Sequence, residues 1–143
     1  LLDAGQSTYC AIGVPPGSAG WRVSVPDPRD PSRTLSTVQL RDQSLSTSGR
    51  TQRYFEVAGR RYSHILDPRT GWPVADMMQA TVIAPAAVDS DALSTAMFVL
   101  GPAGARALAH EMMGVAALLV SMGTNGDAVI SLDWPEKVNP SGI

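Results

Sequence analysis

The 143-residue sequence predicts an α+β fold in which a mainly antiparallel sheet packs against helices. Three observations carry that expectation. Short apolar or alternating runs broken by Gly and Pro fill residues 1–85, the hydrophobic period changes from two to about 3.6 near residue 90, and an Asn-Gly turn separates two closing strands. Strands first, helices next and strands again is a grouping that favours segregated helices on an antiparallel sheet. The whole chain, 1–143, reads as one domain.

Residues 1–13 hold a short strand, a "DAG" bend and a strand-like run "STYCAIG", followed by the Pro/Gly loop "VPPGSAG" (14–20). "WRVSV" (21–25) alternates as a half-buried strand does, and "PDPRDPSR" (26–33), with three prolines, reads as a loop. "STVQL" (36–40) and "SLSTS" (44–48) are strands on either side of a polar "RDQ" turn. "RYFEV" (53–57) and "RYSHIL" (61–66) flank an Ala-Gly pair as a hairpin, and "QATVIAP" (79–85) is a buried strand.

"SDALSTAMFVLG" predicts an amphipathic helix with Asp89 or Ser90 as N-cap, Leu93, Ala96, Met97 and Leu100 on one face, and Gly101 as its stop. "PAGARALAHEMMG" predicts a second helix, with Pro102 in its first turn and Gly114 after its end. "VAALLVS" (115–121), the turn "TNGD" and "AVISL" (128–132) predict a closing hairpin.

Composition narrows the function. A formal net charge of −2 and no Lys/Arg block argue against a nucleic-acid footprint, which needs clustered cations. Ten of the eleven Lys and Arg residues are Arg, a bias that GC-rich coding produces. Cys10 is the sole cysteine, so the chain has no internal disulfide and no Cys/His cluster for zinc. The apolar runs, such as "VAALLV", read as too short to span a bilayer, and no signal-like start is present.

Two stretches could carry chemistry. At 100° per residue Asp91 and Thr95 are neighbours on one helix face, away from the Leu93/Met97/Leu100 stripe. A carboxylate and a hydroxyl so placed could ligate a hard cation such as Mg²⁺, although two donors are too few alone. On spacing alone the simpler reading leads: Asp91 serves only the positive end of the helix dipole while Thr95 faces water. "SHILDPRTG" (63–71) combines His64, Asp67 and Arg69 before Gly71. It is either a Pro-led turn with Asp67 accepting local hydrogen bonds and Arg69 in solvent, or a stretch in which His64 is a base or ligand contact and Asp67 orients it or caps the loop. "STSGRTQR" (46–53) adds hydroxyls and backbone donors of the kind that cradle phosphate. His110, beside Glu111, reads as surface or boundary.

In order, "LLDAGQSTYCAIG", "WRVSVPDPR", "TSG", "GRRYSHILDPRTGWPV", "ATVIAPAAVDSDALSTAMFVLG" and "AALLVS" resemble the C-terminal part of the ApbE family, the FAD:protein FMN transferases. The resemblance covers nearly the whole chain, and its most specific part is "HILDPRTGWPV" followed, 27 positions from His64 to Asp91, by "DALSTAMFVLG". It implies an ApbE-like (T-fold-like) architecture, and Mg²⁺-dependent transfer of FMN from FAD to a Thr hydroxyl of a target flavoprotein, with release of AMP. By the same resemblance Asp91 and Thr95 match metal ligands, and Ser94 stands where some members place a further acid. His64 matches the group that helps deprotonate the acceptor, Ile65 matches a backbone contact to FAD, and Ser48 and Gly49 match the Ser-Gly loop near the cofactor; Asp67 is grouped with these FAD-side residues.

The sequence departs from the family where many members read "GGDI": here Gly5-Gln6-Ser7-Thr8 follows Ala4. The family's N-terminal half, with the adenine site, another metal ligand and in many bacterial members a lipid-attachment cysteine, has no counterpart in these residues; Cys10 lacks the lipobox. The resemblance implies a periplasmic, cell-envelope setting, with membrane anchoring only through such a segment. Rival expectations are a Mg²⁺-dependent FAD pyrophosphatase, in which water replaces the Thr hydroxyl, and a non-catalytic flavin-binding fragment.

Overall fold

The computed structural model describes residues 1–5, 7–50, 54–57, 59–123 and 126–138. Among the described residues ten strands and one helix follow in order: β1 (Leu2–Ala4), β2 (Thr8–Cys10), β3 (Trp21–Asp27), β4 (Asp30–Leu40), β5 (Ser44–Gly49), β6 (Tyr54–Val57), β7 (Arg60–Ser63), β8 (Met77–Ala84), α1 (Ala87–Glu111), β9 (Ala116–Ser121) and β10 (Ala128–Leu132). Six strands form one sheet in the order β1-β2-β5-β8-β9-β10, and every neighbouring pair is antiparallel. The hairpins β3–β4 and β6–β7 stand outside it. The α+β class expected from the sequence is the one observed.

The alternation of side chains along each strand divides the core into two layers. Ala80, Val82 and Ala84 of β8, with Ala117 and Leu119 of β9, face α1 and meet Leu93, Met97, Phe98, Ala105 and Ala109. The intervening residues Leu45, Ile83, Leu118 and Val120 face the other way and meet Val23, Val25, Leu35, Val38 and Leu40 of the β3–β4 hairpin. The sheet is thus the middle of three layers, and both of its faces are apolar over β8 and β9. That explains why these strands read as continuous apolar runs.

Several expectations are corrected. The loop expected at 26–33 is a hairpin turn of only Pro28 and Arg29, because both partner strands are edges and tolerate Pro26 and Pro31. The register shifts on both sides of Pro26, where the strand accommodates a residue with no N–H. Asp27 closes the turn: its Oδ1 accepts from Arg29 N at 2.9 Å and Nε at 2.8 Å, and its Oδ2 from Nη2 at 2.6 Å. β7 ends at Ser63, so His64, Ile65 and Leu66 lie beyond it. The expected "AG" turn keeps Gly59 at φ 74°, while Ala58 lies outside the described residues, as do Thr124 and Asn125 of "TNGD" and Thr51–Arg53 of "STSGRTQR".

The two expected helices form one element, α1, broken where the sequence placed the stop. Gly101 has φ 68° and ψ −175°, with Pro102 next to it. Residue 86 is the N-cap, with no side-chain cap, so neither Asp89 nor Ser90 caps the helix; Ser90 turns inward and is fully buried. Leu100, expected on the apolar face, is exposed just before the break. By length and composition the 25 residues of α1 are enough to cross a membrane, yet Gly101 breaks them and their buried face packs on the sheet as a core helix does.

The Asp27–Arg29 pair is almost fully withdrawn from solvent on the Asp side. Hydrogen bonds from Arg29 hold the Asp27 carboxyl below the ordinary carboxylate range, against the opposing effect of burial. A carboxyl with a folded value below its unfolded value of about 3.9 stabilises the fold above that pH and loses this contribution as pH falls through the folded value. Asp27→Asn is therefore expected to lower stability at pH 7 by about 3 kcal/mol, because Arg29 keeps its charge and loses its partner. Urea unfolding across pH 7 to 2 checks this: the gap between wild type and variant should shrink below about pH 4.

Candidate active site

The sequence "SLSTS" sets up the site through strand alternation. Leu45 and Thr47 face the β3–β4 hairpin, and Ser44, Ser46 and Ser48 face α1. On the helix, Ser90 and Ser94 are i, i+4 neighbours on the inward face. Their hydroxyls meet in pairs: Ser90 Oγ lies 2.8 Å from Ser44 Oγ and 2.7 Å from Ser46 Oγ, and Ser48 Oγ lies 2.9 Å from both Ser94 Oγ and Thr95 Oγ1. Ser44, Ser46, Ser90 and Ser94 are all fully buried. A dry interface of hydroxyls is tolerable only when each finds a partner, so these contacts fix one register of helix on sheet.

That register decides where the outward oxygens emerge. Asp91 is exposed in the second turn of α1, and Thr8 Oγ1 of β2 donates to its Oδ1 at 3.4 Å while accepting from Ser46 Oγ at 3.1 Å. Ser94 Oγ and Thr95 Oγ1 donate to the Asp91 carbonyl at 2.9 and 3.4 Å. The structure therefore gathers four of the residues singled out from the sequence, Ser48, Asp91, Ser94 and Thr95, into one oxygen cluster. Every donor in it is a hard oxygen, which suits Mg²⁺ better than a soft metal. Among the described residues no group of three or more His, Cys, Asp or Glu could hold a metal, so further oxygens would have to come from a ligand or another polypeptide segment. Ser48 and Gly49 are the end of β5 rather than a loop. A Cβ on Gly49 would stand 3.2 Å from the Met78 carbonyl, a close approach that suits glycine.

The second segment is a braced loop. Ser63 Oγ accepts from Ile65 N at 3.1 Å, and Val74 N donates to the Ile65 carbonyl at 3.0 Å. Asp67 N donates to the Trp72 carbonyl at 2.8 Å, and the Asp67 carbonyl accepts from Thr70 N and Gly71 N at 3.2 and 2.8 Å. Gly71 takes φ 74°, the conformation this turn requires. The Asp67 carboxylate accepts from Arg69 N at 2.9 Å and from both prongs of the guanidinium, Nη2–Oδ2 being 2.7 Å. This holds its pKa below the ordinary carboxylate range. Of the sequence readings of Asp67, capping and bracing the loop is the role its contacts display. His64 is exposed at the start of the loop, while Ile65 and Val74 pack on the cluster that includes Met97 and Phe98. Arg69 Nη2 also donates to the Val99 carbonyl of α1 at 3.2 Å, so loop and cluster share one helix.

Thr8 was not singled out from the sequence, Ser46 entered only within a hydroxyl-rich stretch, and Arg69 was named without its partner on the helix. The period-two spacing of Ser44, Ser46 and Ser48 was a readable sign of a hydroxyl face. Thr8 and Arg69 act across 83 and 30 residues, distances at which spacing says nothing.

Comparison with known proteins gives the family. Residues 1–119 match the ApbE family, and the chain belongs to it. An FAD:protein FMN transferase of Treponema pallidum is 43% identical over 130 residues, covering 84% of this chain and 36% of that protein. The Escherichia coli K12 enzyme of the same description is 36% identical over 103 residues, covering 71% of this chain and 29% of its own length. Among solved structures, an ApbE protein of Thermotoga maritima superposes with a TM-score of 0.73 at 37% identity, over 85% of this chain and 38% of that one. The apo flavinyl transferase ApbE of Pseudomonas stutzeri gives 0.69 at 38% identity, over 89% and 39%. The chain thus spans about a third of the length of these relatives.

Ser90 offers a direct check on the interface. Ser90→Ala leaves the buried hydroxyls of Ser44 and Ser46 without their shared partner, and is expected to lower unfolding free energy by about 1–3 kcal/mol while preserving the fold. Urea denaturation followed by circular dichroism measures both.

Proposed function

We propose that this chain provides the metal-side and acceptor-side wall of an FAD:protein FMN transferase. The observation that carries the reading is the oxygen cluster that Ser48, at the end of β5, forms with Thr95 and Asp91 of α1, the helix to which the His64 loop is fastened. In the reaction the hydroxyl of an acceptor Thr attacks the phosphorus of the FMN half of FAD, and the bond from that phosphorus to the bridging oxygen breaks. The Thr proton passes to the His64 imidazole, AMP leaves with the bridging oxygen, and FMN remains on Thr as a phosphodiester. Asp91 and Thr95, with Ser48 beside them, would hold Mg²⁺, which when bound neutralises charge on pyrophosphate oxygens. Ile65 would offer backbone groups to the flavin side, Ser48 and Gly49 would border the diphosphate, and Asp67 would serve by keeping the loop in shape.

The likeness to proteins described as FAD:protein FMN transferases supports FAD as substrate and a flavoprotein as acceptor. The placement at the periplasmic side of a bacterial inner membrane is part of the same proposal and rests on the family resemblance. A hydrolytic reading, FAD cleaved to FMN and AMP, draws on the exposure of His64, which leaves water able to take the place of the Thr hydroxyl.

Incubating the chain with FAD, Mg²⁺ and a Thr-bearing acceptor peptide tests the reading by mass spectrometry. FMN-peptide with equimolar AMP is expected; free FMN with AMP would assign hydrolysis instead, and absence of AMP would leave the chain a non-catalytic portion. His64→Ala should reduce transfer by about 10²–10⁴-fold, the usual contribution of a general base. Asp91→Ala should remove the sensitivity of FAD binding to EDTA, and unaltered Mg²⁺-dependent binding in that variant would withdraw the metal assignment.

A further inference from the structure

The helix that carries Asp91 and Thr95 stops being regular at Gly101, and Pro102 has no N–H to offer the preceding turn. Carbonyls in the last turn before such a break lose their usual i+4 donors and carry the negative end of the helix dipole. One of them, Val99, receives Arg69 Nη2 at 3.2 Å. The same guanidinium grips Asp67 with Nε at 2.9 Å from Oδ1 and Nη2 at 2.7 Å from Oδ2. A cavity of about 320 Å³ lies between the loop and the helix break, bordered by Thr70, Pro73, Asp76, Phe98, Leu100 and Pro102. Packing alone therefore does not press the tip of the loop onto the helix; the arginine spans the gap.

We propose that Arg69 is a positioning residue: by joining Asp67 to the Val99 carbonyl it fastens the His64–Gly71 loop to the helix segment bearing Asp91 and Thr95, and so sets the separation of His64 from the oxygen cluster. The fastening rests on the geometry alone, whereas its consequence for turnover rests on the transferase reading. Arginine suits the position because its planar fork can hold a carboxylate and still present an N–H to a third group. Lysine keeps the charge but cannot hold both partners as a fork.

The test compares the full chain with Arg69→Gln and Arg69→Lys. In Arg69→Gln, amide exchange at His64, Asp67 and Gly71 is expected to quicken at least tenfold, with the amides of β8 and β9 unchanged. The kcat for AMP release should fall at least tenfold with KM for FAD within threefold, because the oxygen cluster itself is untouched. Arg69→Lys should give intermediate values of both. Unchanged exchange at the three loop amides, or unchanged kcat despite a loosened loop, would overturn the proposal. If the wild-type chain releases no AMP, the transferase reading fails by itself, and exchange at His64 and Gly71 then decides the positioning claim: faster in Arg69→Gln supports it, unchanged refutes it.

Discussion

The contact between β5 and α1 is the constraint on which the rest depends. Burial of apolar area is non-directional, so by itself it assigns no particular partner to each side chain at a helix–sheet contact. Hydroxyls do assign one, since each buried Oγ that loses its partner is left unsatisfied. Ser44, Ser46 and Ser48 facing Ser90, Ser94 and Thr95 therefore act as a ruler. With the ruler engaged, Asp91 emerges beside Thr8 and Thr95 beside Ser48. Stability and placement meet here: the contacts that hold the helix also aim the Asp91 carboxylate.

The remaining features follow as consequences of that placement. The sheet provides a two-sided platform, with the β3–β4 hairpin closing the far face so that the helix face alone bears the oxygen cluster. The break at Gly101 ends the helix where a carbonyl can receive Arg69. Ile65 and Val74, resting on the core, root the base of the His64 loop. A chain spanning about a third of its relatives' length thus has two closed apolar layers and an ordered oxygen cluster, and the donor set at that cluster is one carboxylate with several hydroxyls. Such a set suits a site that takes its remaining oxygens from a diphosphate.

Much of this was legible in the sequence. The α+β class, the Gly101 break and the inward Leu93 and Met97 follow from periodicity and from glycine and proline chemistry, all of which act within a few residues. Asp91 and Thr95 were visible as an i, i+4 pair, but nothing local separated a metal site from a solvated helix start; the metal reading rests on the family resemblance. What escaped were tertiary effects. "PDPRDPSR" looked like a loop because three prolines break ladders, yet an edge hairpin places them where no N–H is needed. Ser90 looked like a cap because serine at a helix start usually is one, yet hydroxyls across the interface drew it inward. Arg69 looked solvated because its partner carbonyl lies 30 residues away.

The central claim is that the β5–α1 register gathers Thr8, Ser48, Asp91 and Thr95 into one metal- and diphosphate-facing cluster. Nuclear magnetic resonance on the ¹⁵N-labelled chain, titrated with Mg²⁺ in the presence of FAD, tests it most directly. The account predicts that amide shifts concentrate at these four residues and their immediate neighbours, and that Asp91→Ala abolishes them. Shifts centred instead on the far face of the sheet, around Asp27 and Arg33, or no shifts at saturating Mg²⁺ and FAD, would contradict it.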